Sequence, residues 1–267
     1  MNIVVCVKRT PASTSVALDP QTGAVKTAGL PHGINPFDEY AVEEALRLKE
    51  RIPGTKVAVL SVGPAENDEV IRAALALGCD TGVLLSDPAF AGSDVYALSL
   101  ILAKGIQKVA ETRGGVGLVL FGRQSNDGES GHTTAAVGAR LGWPSVISVR
   151  KIPEAADAAV TVERLREDGT DVLQLTLPAV LSVLKEINEP RLPSLRGKMS
   201  AKKMPVETWG AAALGLSADV VGKAGSRMDV VKMAPVPSRG AGVVITGETP
   251  EDKAQALVAK LKEAKFI

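Results

Sequence analysis

The chain has 267 residues, room for one large domain with a substantial core or one domain plus an extension. Lys and Arg total 31 against 30 Asp and Glu, and aromatic residues make up 3%, so charge-driven nucleic-acid binding and base stacking are both disfavoured. Two unclustered cysteines, Cys6 and Cys79, and two histidines, His32 and His132, argue against a zinc centre and fit buried thiols in a reducing cytoplasm.

Met1–Arg9 places its charge after a short apolar run, the reverse of a secretory signal, and no stretch reaches the ~20 apolar residues of a membrane span. Ile3–Val7 reads as a buried strand. Ser15–Thr27 reads as a hairpin turning at Asp19-Pro20-Gln21-Thr22-Gly23. Asn35-Pro36 opens a helix, with Asn as N-cap, Pro at the first helical position, and Asp38 and Glu39 near the positive dipole end. Phe37, Ala41, Ala45 and Leu48 share one face of it, and Glu43 with Arg47 makes an i,i+4 pair.

Val57–Val62 is the next strand, followed by a helix over Asn67–Leu77 that ends at Gly78. Gly82–Leu85 is a short strand, and Ser93 is expected to cap a helix reaching about Thr112. Leu118–Phe121 is a further strand, and Gly131–Leu141 a further helix. Strands and helices alternating at this spacing predict an α/β fold with a doubly wound, mostly parallel sheet. Beyond Trp143-Pro144, Val160–Arg166 and Val172–Leu177 alternate around Glu167-Asp168-Gly169 as a hairpin, and Ala179–Leu184 is one more buried strand. From Glu186 to about Gly247 the periodicity fades, which predicts an extended C-terminal arm (186–267) after an α/β domain (1–185). Thr249-Pro250-Glu251-Asp252 starts a terminal helix with Leu257, Val258 and Leu261 as its stripe. An arm that long without its own core is expected to pack on another chain.

The most informative stretch is the loop after Leu118–Phe121. Gly122-Arg123-Gln124-Ser125-Asn126-Asp127-Gly128-Glu129-Ser130-Gly131-His132-Thr133 follows a strand and opens a helix. Small residues there let main-chain amides approach a phosphate, and the helix N-terminus favours negative charge. The alternative is a plain polar connection, but the usual βα loop is shorter. No P-loop, Rossmann fingerprint or nucleophile elbow is present. Asp38, Asp127 and Glu129 read as helix-start residues before general bases. The chain offers little catalytic chemistry of its own.

A second stretch, Asn188 to Lys203, carries five cations and no acid between Pro190 and Pro205, with Leu195 and Met199 among them. Basic residues around a protruding apolar side chain fit a transient docking surface, against the plainer reading of a solvated loop.

At this point the chain resembles the beta subunit of electron transfer flavoprotein (ETF) almost end to end. The resemblance rests on Val4-Val5-Cys6-Val7-Lys8-Arg9, Asn35-Pro36-Phe37 with Ala41–Ala45, Ser61-Val62-Gly63-Pro64, Gly122-Arg123-Gln124, Leu177-Pro178-Ala179-Val180, and Asn188-Glu189-Pro190-Arg191 leading to Ala201-Lys202-Lys203. It implies an adenine nucleotide alpha hydrolase-like fold and an obligate heterodimer whose alpha subunit holds the redox-active FAD. It also implies an adenine nucleotide in this chain, at Cys6, Asn35, Pro36, Phe37, Asp38, Val62 and Gly122–Thr133, with Phe37 near the alpha-subunit flavin. AMP is the expected ligand, with a second FAD accepting hydride from NADH as the electron-bifurcating alternative. Bifurcating members read Asp-Gly-Asp-Thr-Ala-Gln-Val-Gly where this chain reads Asp127-Gly128-Glu129-Ser130-Gly131-His132-Thr133-Thr134, and that departure favours AMP.

Leu195 falls on the family's recognition loop. Arg191, Leu195, Arg196, Lys198 and Met199 are thereby expected to face acyl-CoA dehydrogenases or similar partners, with electrons leaving to ETF-quinone oxidoreductase. A stand-alone adenine-nucleotide sensor is the competing class. It would explain the nucleotide loop but neither the arm nor the Leu195 stretch.

Overall fold

The computed structural model describes residues 1–13, 17–19, 25–26, 29–156, 158–231, 233–234, 240 and 242–267. Strands β1 (Asn2–Cys6), β2 (Arg9–Pro11), β3 (Ala17–Leu18), β4 (Val25–Lys26) and β5 (His32–Ile34) precede helix α1 (Pro36–Arg51). Of the predicted hairpin turn 19–23, residues 20–23 lie outside the described residues. Then follow β6 (Lys56–Val62), α2 (Asp68–Leu77), β7 (Thr81–Leu85), α3 (Val95–Arg113), β8 (Leu118–Gly122) and α4 (Thr133–Leu141). The chain continues through β9 (Ser145–Ala155), β10 (Ala159–Arg166), β11 (Gly169–Thr176), β12 (Ala179–Val183), α5 (Leu195–Ala201), β13 (Val206–Trp209), α6 (Gly222–Gly225) and α7 (Pro250–Glu263).

The sheet runs β11-β10-β9-β12-β8-β1-β6-β7-β13. Every neighbouring pair from β9 to β13 is parallel; only β9-β10 and β10-β11 are antiparallel. Side chains alternate across it. Ile3, Val5 and Val7 face the layer of α1 and α2, and Val4 and Cys6 face that of α3 and α4. Both layers are apolar, so the central strands read as continuous hydrophobic runs. Each fully buried Ile or Leu in them is worth about 1.5–3 kcal/mol over its exposed state.

The sheet grows from β1 outward to β6 and β7, and the chain then returns to the other side of β1 with β8. The order therefore reverses between β1 and β8, the place where open α/β sheets hold ligands beyond the strand ends.

Two local expectations are corrected. Asp94, and not Ser93, caps α3: its carboxylate accepts the Ala97 amide at 2.9 Å. The Ser93 hydroxyl instead donates to the Phe90 carbonyl and accepts the Gly222 amide. The strand β9, eleven residues long, has no counterpart in the sequence reading. Its register shifts against β10 and β12 interrupt the alternation that would have marked it.

The chain divides into two compact units, Met1–Ala17 with Val25–Val231 and Leu18–Ala24 with Lys232–Ile267. The second unit contains α7, opened by a capping box between Thr249 and Asp252, as the sequence predicts. Within the stretch expected as an arm, Leu195–Ala201 is helical and Val206–Trp209 adds the ninth strand beside β7. No helix among the described residues is long and apolar enough to cross a membrane.

Helix α5 lies so close to α2 that a Cβ on Gly197 would sit 2.3 Å from the Ala76 carbonyl oxygen. Arg72 of α2, paired with Asp68, donates to the carbonyls of Ala201, Lys202 and Met204 at the end of α5. We predict that Gly197→Ala lifts α5 from α2 and lowers the urea midpoint by the equivalent of about 1–3 kcal/mol. An unchanged midpoint would show that this seat does not constrain α5.

Candidate functional site

The carboxyl ends of β1, β6 and β8 and the starts of α1, α3 and α4 enclose a cavity of about 330 Å³, open on one side. That is at the small end of ligand pockets, which run about 300–1,000 Å³. Leu60, Val62, Val95, Leu98, Leu102 and Phe121 give it an apolar wall. Lys8, Arg123, Gln124, Ser125, Ser130, Thr133 and Thr134 give it a polar side.

Two buried side chains of α1 hold these elements in register. The Asp38 carboxylate accepts the Lys8 amide at 2.8 Å and the Gly122 amide at 3.2 Å, joining the ends of β1 and β8. The Asn35 side chain donates to the Gln124 carbonyl at 2.8 Å and accepts the Asn126 amide at 3.0 Å. Its own amide donates to the Lys8 carbonyl. Asn35 thus stands at the N-cap position without capping the helix, because its side chain is spent on the β8–α4 loop. Asp38, expected as a helix-start residue, is turned instead into the sheet edge.

Glycine is required at 122. A Cβ there would lie 2.5 Å from an Asp38 oxygen and from the Phe37 carbonyl carbon. The close approach this glycine permits is that of α1 to the sheet, whereas the sequence pattern suggested room for a phosphate.

Of the residues expected at the site, Cys6, Asn35, Asp38, Val62, Gly122, Arg123, Gln124, Ser125, Gly128, Ser130, Gly131 and Thr133 line the cavity. Pro36, Phe37, Asn126, Asp127, Glu129 and His132 stand behind or beside it. Pro36 begins α1, and Phe37 packs its backbone against Gly122. The Asn126 amide group donates to the Pro11 carbonyl, and Asp127 pairs with Lys8 at 2.6 Å. Glu129 takes a left-handed φ of 48°, a conformation costly for a side-chain-bearing residue and concentrated at functional loops. His132 precedes α4, exposed, with no cap bond from its side chain.

Sequence reasoning missed Lys8, Ser93, Asp94 and the Val95-Leu98-Leu102 stripe. The signal was there: a third strand-to-helix turn at the same edge, followed by apolar residues at i, i+3 and i+7. What the sequence lacks is the strand order that brings that turn beside the other two.

The donors suit an adenine nucleotide. An apolar wall lies opposite hydroxyls, a lysine, an arginine and the N-terminus of α4, a donor set that can hold an anion beside an apolar ring. No group of three or more metal-ligating side chains occurs among the described residues. Burial pushes the Cys6 thiol well above its ordinary value, reinforced by Asp38, so it is no nucleophile. Burial likewise raises the Asp38 carboxyl to about 7, against the pull of the Lys8 amide, Asn35 and the Gly122 amide.

The docking stretch is held by the same helix. Glu43 accepts Arg47 Nε and Arg191 Nε, each at 2.7 Å, and Glu50 also pairs with Arg191. Asn188 donates to Glu44 and to the Tyr40 carbonyl, both at 3.0 Å. Burial alone would raise the Glu43 carboxyl, but Arg191 and Arg47 hold it below its ordinary value. Arg191 thereby anchors the stretch from within. Leu195 and Met199 stand 77% and 59% exposed on α5, beside Leu192 at 90%, with Arg196 and Lys198 exposed around them.

Comparison with known proteins agrees with this architecture. The model of the electron transfer flavoprotein domain matches residues 22–214. The caffeyl-CoA reductase-Etf complex subunit CarD of Acetobacterium woodii is 40% identical, covering 100% of both chains. The electron transfer flavoprotein subunit beta of Megasphaera elsdenii is 36% identical over 98% of this chain and 97% of its own. Protein FixA of Azorhizobium caulinodans is 34% identical over 98% and 94%.

Asp38 carries a pH prediction. Its folded value of about 7 lies above the ordinary 3.8, so the folded chain binds the proton more tightly. Its contribution to stability is full below pH ~4 and is lost as pH rises through ~7. Asp38→Asn should abolish that part of the pH dependence. It should also cost about 1–3 kcal/mol in urea unfolding, because a carboxamide cannot accept from both amides. Identical pH profiles for variant and parent would refute the assignment.

Proposed function

The chain belongs to the electron transfer flavoprotein family as a beta-type subunit, and we propose that it binds an adenine nucleotide in the cavity at the β1–β8 switch point while a flavoprotein partner carries the electrons. The observation that carries this reading is the cavity itself, with an apolar wall opposite a polar side that includes a lysine and an arginine. The ligand we favour is AMP, since the enclosed volume suits a mononucleotide. Asn35 and Asp38 hold the loops that surround it.

FAD, held chiefly by an alpha subunit, supplies the one-electron and two-electron chemistry. This chain's residues bind, orient and dock. The exposed apolar residues Met228, Val230 and Val231 of the first unit, and separately Val243 and Val244 of the second, each suit packing on that subunit, and the family resemblance puts Phe37 near its flavin.

Helix α5 presents Leu195 to an electron donor. The Acetobacterium relative is by name part of a complex with a CoA-thioester reductase. An acyl-CoA dehydrogenase or related flavoenzyme is accordingly the proposed donor, and a quinone oxidoreductase the proposed acceptor. A second FAD in the cavity is the other reading. It is favoured by the open side near exposed Arg123 and Ser130, through which the flavin half of a dinucleotide would pass.

Co-expression with the partner, denaturation and chromatography of the released ligands should yield one AMP and one FAD per complex. Two FAD without AMP would establish the second reading, and no adenine compound beyond the partner's FAD would refute both. Leu195→Ala should slow electron transfer from the donor about tenfold or more at unchanged flavin content, the scale of a lost interface anchor. Stopped-flow kinetics indistinguishable from the parent would remove Leu195 from the docking surface.

A further inference from the structure

We infer that Lys8 is the residue that recognises the phosphate of the nucleotide, held poised at the rim of the cavity by Asp127. The inference rests on the nucleotide reading of that cavity and adds a residue to it.

Lys8 lies two residues beyond the end of β1, at the point where the sheet order reverses. Its main chain is fixed on both sides. The amide donates to Asp38 at 2.8 Å, and the carbonyl accepts the Asn35 amide at 2.9 Å. Only the side chain is left to move. Its ammonium reaches across to the β8–α4 loop, where it donates to both Asp127 oxygens, at 2.6 and 2.8 Å, and to the Ser125 hydroxyl at 3.4 Å.

Lys8 and Ser125 line the cavity and Asp127 does not, so the ion pair ties a lining residue to a carboxylate outside the lining. Ser125 also accepts the Gly128 amide at 3.3 Å, which curls the loop around this point.

Charge bookkeeping singles Lys8 out. Asp94 is committed to the amides of Ala97, Arg227 and Met228. Asp38 is buried in the lining and committed to two amides. Arg123, the other cation of the wall, has an exposed side chain that makes no hydrogen bond or ion pair among the described residues, in contrast to the Asp127–Ser125 clamp on Lys8. The Lys8–Asp127 pair is itself half-exposed, and ion pairs of that kind are weak. Exchanging one carboxylate contact for a phosphate oxygen therefore costs little. Meanwhile the pair keeps the Asp127 charge from repelling an incoming anion. An ammonium has three donors, enough to hold Asp127 and a phosphate together.

The test compares AMP with adenosine, which differ only in the phosphate, by calorimetry on the nucleotide-stripped complex of the full chain with its flavoprotein partner. The parent should bind AMP more tightly than adenosine. Lys8→Gln should weaken AMP roughly ten- to a hundredfold, as expected for a lost charge-assisted hydrogen bond, and leave adenosine within about twofold. Lys8→Arg should recover part of the difference.

Equal loss of both ligands in Lys8→Gln would reduce Lys8 to a structural role, and no loss of either would exclude it. Arg123→Gln, also in the lining, should lower the AMP preference by much less than Lys8→Gln does. If that variant removes it, Arg123 is the phosphate residue and the inference falls, whether or not the Lys8 variants fold. A parent complex that binds neither compound would overturn the nucleotide reading itself, a result distinct from any of the variant outcomes.

Discussion

Two buried polar side chains in the first turn of α1 set the geometry on which the rest depends. Asp38 and Asn35 tie the ends of β1 and β8 and the loop after β8 to one helix. Backbone amides at the carboxyl edge of a parallel sheet have no next strand residue to pair with. Left dry and unpaired, each would cost about 1–3 kcal/mol. Satisfying them with a single carboxylate closes the edge and opens a cavity of defined shape beside it. The arrangement places a carboxyl group deep enough that burial shifts its proton affinity, the usual sign of a group held for position and not for solvation.

The same helix serves the docking stretch. Its middle and last turns present Glu43, Glu44 and Glu50, which hold Arg191 and Asn188. A rigid rod of 16 residues therefore carries the cavity at one end and the root of the basic stretch along its length. Helix α5 gains a second attachment to α2 through Arg72 and the close contact at Gly197. Leu195 is thus displayed from a helix fixed at its root and at its end, so its backbone has little conformational freedom left to lose.

The chemistry of the chain is consistent with a carrier's subunit. Its carboxylates near the cavity are committed to amides or to lysine, and its cysteine there is a buried neutral thiol. The cavity itself offers shape, hydrogen-bond donors and a charge at its rim.

Local patterns made most of the fold legible. The strands β1, β6, β7, β8 and β12, the β10–β11 hairpin, the helices α1 to α4 and the capping box at Thr249 follow from apolar runs, periodicity and cap residues, all properties of neighbouring positions, whereas the short pair β2–β5 had no such pattern. The segment β9 escaped because its register shifts break the alternation, and β13 because four residues at a sheet edge leave too short a pattern. At the site, the loop Gly122–Thr133 and the Asn35–Asp38 turn were readable, since small and polar residues in a strand-to-helix turn carry a physical meaning by themselves. Lys8's ion pair with Asp127, the turn of Asn35's side chain away from its own helix, and the wall formed by Val95, Leu98 and Leu102 were not. Each joins residues far apart in the chain, and only the strand order, set by long-range packing, brings them together.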